Sequence, residues 1–592
     1  MGLKTREEIN NEYKWDIEAM YASDNDWEAD FSQVKEGKGA VTALKGTLGN
    51  SPESLYNCLS LKDALFMKAE NIYVYAHLKH DENTENPVYQ ALSAKVDSLL
   101  TEVIADFSFI EPEILAIDKE VLEGYINNFE QLGLYKHYIE GILRLKEHTL
   151  SDEMENVLAK VSEIGQAASK IFSMLNNADL KFGTIKDGKD NDKEVTHGSY
   201  LSLMESKERS VRKAAFESLY SAYIAHKNTL AESYAASVRN DVFFAKERKY
   251  KSCLDASLFG NNIATDVYHN LIKTVNAHLP SLHKYMEVRK KILKLDELHM
   301  YDIYVPLVPE IDTHIDYNKA KETVIKSLAP LGDEYVNELK AGFDAKWVDI
   351  YENKGKKSGA YSWGSYSSYP YILLNYDNKV NDMFTLTHEI GHSMHSHLTR
   401  KNQEFVYGDY TLFVAEVSST VNEALLMEYL LNTEKNENMK KYLINYYMEQ
   451  FRATLFRQTM FAEFELKTHE MAEAGEALTS QELNKIYREL NEKYFGKTVF
   501  LDEQIDYEWS RIPHFYRPFY VYQYATGHSA AIALSRKILE GNTEGYLKFL
   551  KSGSSMYPIE QLKMAGVDMG SPEAVDLALN VFDGLVDKFE KM

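Results

Sequence analysis

Residues 382–398 read DMFTLTHEIGHSMHSHL, and this stretch decides how the chain folds around its chemistry. Its apolar residues Met383, Phe384, Leu386, Ile390 and Met394 fall at the period of a helix with one buried face. Asp382 is a candidate cap for that helix. His388 and His392 then stand slightly more than one turn apart, roughly 6 Å along the axis, so both imidazoles can reach one zinc ion. Glu389 follows the first histidine directly and can lean over the metal, where it takes a proton from the water that attacks a carbonyl. It is a base in this reading, not a ligand. The same spacing arises by chance on solvated helices, but here the apolar flanks predict burial, and buried imidazoles need partners.

A third ligand is expected from a second helix. Residues 410–430, YTLFVAEVSSTVNEALLMEYL, form an apolar stretch with isolated acids, and Glu416 is the best candidate. Its competing role is an ordinary ion pair with a lysine or arginine. Glu423 lies seven residues later on the same face, close enough to hydrogen-bond a ligand imidazole from behind.

Outward from these two segments, punctuation is sparse: only 12 prolines and 29 glycines occur in 592 residues, which favours long helices and a mainly α fold. Residues 1–180 read as an N-terminal helical region, with Leu59, Leu65, Ala69, Ile72, Ala76, Leu92, Val96, Leu99 and Ile104 on its apolar faces. Residues 181–196, KFGTIKDGKDNDKEVT, predict a β-hairpin, and 181–199 the boundary before a helical catalytic region, 200–592. Pro280 marks a helix start or kink, and VPLVPE, 305–310, a second break. Before the histidine helix, YPYILLNY, 369–376, predicts an edge strand able to pair with an extended peptide, with Tyr371 a candidate substrate contact.

The formal charge of −24 makes lasting contact with nucleic acid or an anionic membrane unfavourable. Cys58 and Cys253 are too few for a disulfide framework and too far apart for a thiolate metal motif. The charged N-terminus shows no signal peptide, and no apolar run approaches membrane-spanning length, so a cytoplasmic protein is expected.

Three segments, THEIGHSMHSHL (387–398), FVAEVSSTVNEALL (413–426) and IPHFYRPFYVYQYATGHSAA (512–531), together resemble the thimet-oligopeptidase-like zinc metallopeptidases, in their oligopeptidase F branch. Weaker similarity extends over nearly the whole chain. The resemblance implies a large helical clamshell around a deep channel, with a zincin-like catalytic core, a small β edge, and access for short unstructured peptides. It places one zinc per chain on His388, His392 and Glu416, and the catalytic acid on Glu389. It also places a histidine and tyrosines that bind substrate and stabilise the oxyanion in the segment after Pro513. His514 matches that histidine. Tyr516, Tyr520, Tyr522 and Tyr524 are all available as the tyrosines, with Tyr524 and Tyr522 favoured. Tyrosines number 41, so aromatic packing competes with catalysis at each of them.

The expected activity is hydrolysis of internal bonds in oligopeptides by activated water, without a covalent intermediate. A carboxypeptidase would use the same zinc chemistry but needs a cation for the terminal carboxylate, for which Arg511 and Arg517 are candidates. A non-catalytic peptide-binding protein has no use for Glu389.

Overall fold

Two serine/asparagine–proline steps start the N-terminal helices. The Ser51 hydroxyl accepts the Ser54 N–H at 3.2 Å, and Pro52 opens a 31-residue helix, Pro52–Glu82, at a position where its missing donor costs nothing. Asn86 and Pro87 repeat the arrangement for the helix Pro87–Phe107, with the Val88 N–H donating to Asn86 at 3.0 Å. Leu59, Ala69, Ile72, Ala76, Val96 and Leu99 are buried between these helices and Asp24–Thr42, whereas Ile104 faces solvent. The helical periodicity therefore reads the core correctly except at the end of its last stripe.

The computed structural model describes residues 2–308 and 314–592, and the chain in it is mainly helical, with three small sheets among the described residues. It parts into two units. One comprises Met1–Lys146, Thr313–Tyr429 and Leu534–Val567; the other comprises Glu147–Asp312, Leu430–Ala533 and Asp568–Met592. The division expected at 181–199 is thus not where the units part. A hairpin does form there, Thr184–Lys186 against Asp192–Glu194, with Asp190 in the left-handed region at its turn, but it lies inside the second unit. Pro280 begins the helix Leu279–Ile292, as a proline in a first turn should. The break expected at 305–310 runs into residues outside those described.

In the first unit, Tyr371–Leu373 is the central strand of a three-stranded sheet. It runs parallel to Val348–Asp349 and antiparallel to Tyr361–Trp363. The edge strand expected at YPYILLNY is corrected accordingly: both of its sides are paired within the chain. Tyr371 is fully buried, joins the core of the N-terminal helices, and donates its hydroxyl to the Asp16 carbonyl at 2.8 Å. A substrate contact at Tyr371 is therefore not available. Trp347, which precedes the first strand, packs against Gly342 and the ring of His397, fixing the sheet beside the helix Val380–Asn402.

Candidate metal centre and active site

The helix Val380–Asn402 begins with Lys379, not Asp382, at its N-cap. Asp382 sits in the first turn and reaches back, accepting the backbone N–H groups of Asp377 and Lys379 at 2.9 Å each. Its carboxylate thus still satisfies donors at the helix start and complements the dipole. The buried face carries Met383, Phe384, Leu386, Ile390 and Met394, which leaves His388 and His392 half-buried on one side.

Against this helix packs Leu412–Thr433, which carries Glu416. The close approach depends on Gly391: a Cβ there would lie 2.5 Å from Ser419 Cα and 2.7 Å from the Ser418 carbonyl oxygen. Glycine is what lets the glutamate helix come within ligand reach. The result is a near-equilateral triangle of donor atoms. His388 Nε2 and His392 Nε2 are 3.2 Å apart, and Glu416 Oε2 lies 3.4 Å from the first and 3.6 Å from the second. Tetrahedral zinc with nitrogen and oxygen ligands at its usual bond lengths needs donors about 3.3 Å apart, so the three side chains fit that ion without rearrangement.

Behind the triangle, Glu423 Oε1 lies 2.5 Å from His388 Nδ1, which fixes the ring and turns Nε2 toward the site. Ser419 donates to Glu416 Oε2 at 3.1 Å and sets that carboxylate. The electrostatics favour a cation here. Burial would push the Glu416 carboxyl up, but the hydrogen bonds and charges of His388 and His392 outweigh it and hold it well below its ordinary range. Burial likewise disfavours charged His388, yet Glu416 and Glu423 raise it to about 10. Glu389 is different. Burial raises its carboxyl, the two imidazoles oppose that, and the result stays above the usual carboxylate value. It is 7% exposed and makes none of the triangle's contacts.

The remaining histidines of this helix are structural. His395 is buried and stacked on Tyr410 with ring centroids 3.7 Å apart, and burial lowers it to about 3. His397 pairs with Glu338 at 2.9 Å.

The second unit holds the aromatic segment. Pro513–Tyr516 forms a 3-10 turn that leaves His514 largely exposed, and partial desolvation together with the charges of Arg517 and Arg457 lowers its pKa. Phe519, at φ 52°, turns the chain back so that the Tyr520 ring stacks over His514 at 5.8 Å. Tyr524, on the helix Tyr522–Leu539, meets His514 edge-on at 6.1 Å and donates to the Tyr520 hydroxyl at 3.4 Å. His514, Tyr520 and Tyr524 therefore form one cluster. Tyr522 does not join it: it is 2% exposed and packs against Tyr268, which corrects its expected substrate contact. Tyr516 stacks on Phe172, apart from this cluster. Tyr520 is the member that the sequence reading left undistinguished, and its i, i+4 relation to Tyr524 is the signal that could have singled it out.

The pattern described by Peptidase family M3 matches residues 202–581, and that of Oligopeptidase F matches 113–182. The chain is 48% identical to oligopeptidase PepF of Bacillus subtilis, over all of this chain and 88% of that one. It is 42% identical to the oligoendopeptidase F homolog of Lactococcus lactis, over 100% of this chain and 98% of the other. Among solved structures, a putative peptidase from Chlamydophila abortus superposes with a TM-score of 0.94 at 36% identity, covering 100% of both chains. Oligoendopeptidase-F from Enterococcus faecium gives 0.74 at 39% identity over 96% of this chain and 99% of that one. The triangle of His388, His392 and Glu416 lies inside the matched region, and the chain belongs to peptidase family M3, in its oligopeptidase F branch.

Proposed function

We propose that this peptidase is a zinc oligoendopeptidase that hydrolyses internal bonds of short unstructured peptides in the cytoplasm. The observation that carries the reading is the triangle of His388, His392 and Glu416, whose edges of 3.2, 3.4 and 3.6 Å suit one tetrahedral zinc ion. Bound there, zinc would supply Lewis acidity, polarising the scissile carbonyl and acidifying the attacking water.

The chain's own residues supply the rest. Glu389, buried and raised above the usual carboxylate range, is suited to take the water's proton and return it to the leaving amine. Glu423 lies against His388 Nδ1 and favours a proton there, so the proton that a metal would displace is the one on Nε2, the nitrogen facing the triangle. Neutral His514 and the hydroxyls of Tyr520 and Tyr524 are donors suited to an oxyanion, because such bonds strengthen as negative charge develops.

The endopeptidase reading is favoured over a carboxypeptidase by Arg511, which is held by Glu508 at 3.0 Å and Tyr220 at 3.3 Å and opens on a cavity of ≈ 10 Å³, too small for a peptide's C-terminus. That leaves Arg517, over the Tyr520 ring, as the remaining cation proposed for a terminal carboxylate. Product analysis on peptides blocked at both ends tests this. Cleavage of blocked substrates at internal bonds is expected; activity confined to peptides with a free C-terminus would replace the reading with the carboxypeptidase.

A further inference from the structure

The second unit contains four arginines that share two carboxylates. Arg289 Nη2 and Arg452 Nη2 contact Glu449 at 2.5 and 2.8 Å, and Tyr285 donates to the same carboxylate. Arg511 Nη2 contacts Glu508 at 3.0 Å, Arg457 pairs with it as well, and the Tyr487 hydroxyl donates to it at 2.6 Å. Burial would push both glutamates up, but the arginines outweigh it and hold each at about 2. Both acids are thus ionised, and neither has a second charge to give.

Arginine does not shed its proton inside proteins, so an excess of buried guanidinium must be neutralised from outside the group. Arg289 is 0% and Arg452 5% exposed, and Nη1 of Arg452 has no hydrogen-bond partner. Arg452 lies in a π-helical segment, Phe451–Phe456, between the helices Glu437–Gln450 and Arg457–Glu473. Such widened turns are frequently retained at binding sites. Arg452, Arg457, Arg511, Glu508, Tyr220 and Tyr304 line one cavity of ≈ 10 Å³. The side chains of Arg457 and Arg511 remain about one-fifth exposed, at 21% and 22%, which gives a path from solvent.

We infer that this cavity binds a single monatomic anion, chloride under ordinary salt, held by the guanidinium groups of Arg452, Arg457 and Arg511. Its volume takes one sphere of about water size and has no room for phosphate or for a peptide's C-terminus with its chain attached. Water would fill the space without supplying charge. Guanidinium N–H groups and the Tyr220 and Tyr304 hydroxyls are donors that suit a spherical anion, and among the described residues no further carboxylate pairs with the four arginines. Arg511 closes the turn Glu503–Arg511, three residues before His514, so a bound anion would brace the segment that presents that histidine. The site stands independently of the proposed hydrolysis.

The test uses the full chain, transferred to sodium gluconate and titrated with sodium chloride or bromide at constant ionic strength. A saturable rise in Tm on the order of 1–2 °C is expected with either halide. Arg457→Gln should raise the half-saturating concentration about tenfold or more, while Glu508 keeps Arg511 as its partner. Crystals of the unmodified protein grown in bromide should show an anomalous peak in the cavity beside Arg452, which decides the matter even if the variant does not fold. A Tm indifferent to halide at constant ionic strength, or bromide-grown crystals with water alone in the cavity, would overturn the proposal.

Discussion

Glu389 is buried while Glu416 lies between two imidazoles, and in the proposed mechanism this difference divides the work between two residues of one type. Glu389→Gln keeps the shape but loses the basic oxygen, so turnover should fall about 10²–10⁴-fold with metal content unchanged. Glu416→Ala should instead lower the metal content itself. Kinetics and elemental analysis on both variants separate these outcomes, and equal metal loss in both would erase the distinction. Tyrosines divide in the same way. Tyr524→Phe should lower kcat about 10²–10³-fold with little change in KM, because it removes a donor proposed to act in the transition state. Tyr522→Phe, buried against Tyr268, should leave kcat close to that of the unmodified protein. A reversed pattern would move the oxyanion role to the other face of the segment. That His388 and His392 share a face was legible because helical spacing carries geometry directly, and Glu416, which meets them, stood out as an isolated acid in a second apolar stretch. Tyr520 was not, since its meeting with His514 depends on the turn made at Phe519.

Where two helices cross, one glycine sets the distance. Gly391→Ala gains about 1 kcal/mol of helix propensity, but its methyl would enter the Ser418–Ser419 backbone, at a cost of about 1–3 kcal/mol. We expect a lower Tm together with weaker metal retention, measured by thermal unfolding and by metal content after dialysis. A variant as stable and as metal-rich as the parent would show that the helices can separate freely. A second element depends on a buried acid. Glu465 accepts the Phe519 N–H at 2.6 Å and so holds the turn after His514, while its other oxygen has no partner. Burial raises Glu465 to about 8, against the opposing charge of His469. Its folded pKa thus exceeds the ordinary carboxylate value of 4.5, so the folded state keeps a proton that the unfolded state releases. Stability should fall as pH rises from about 5 to 8. His469 adds to the same trend: burial lowers its pKa, but Asp241 and Glu465 outweigh that and raise it. Glu465→Gln mimics the neutral acid, so its Tm should decline less than the parent's between pH 5.5 and 8.5; equal declines would assign the pH dependence elsewhere. The helices themselves were legible from apolar periodicity. The central place of Tyr371–Leu373 was not, because its neighbours pair from separate segments whose register no local pattern reveals.

At the scale of the whole chain, each unit is assembled from three separate stretches of sequence, an arrangement that composition shifts along a line cannot display. The hairpin at Thr184–Glu194 was foreseen as an element and misjudged as a boundary for that reason. No described helix is long and apolar enough to cross a membrane. The catalytic account, by contrast, rests on a local triangle that the sequence already outlined, so it is open to one direct measurement. Hydrolysis of a peptide blocked at both ends should be followed in protein stripped by a chelator and then titrated with zinc. The account predicts no turnover in the stripped protein and full recovery at one zinc per chain. Undiminished turnover in protein shown to hold no divalent metal would contradict it.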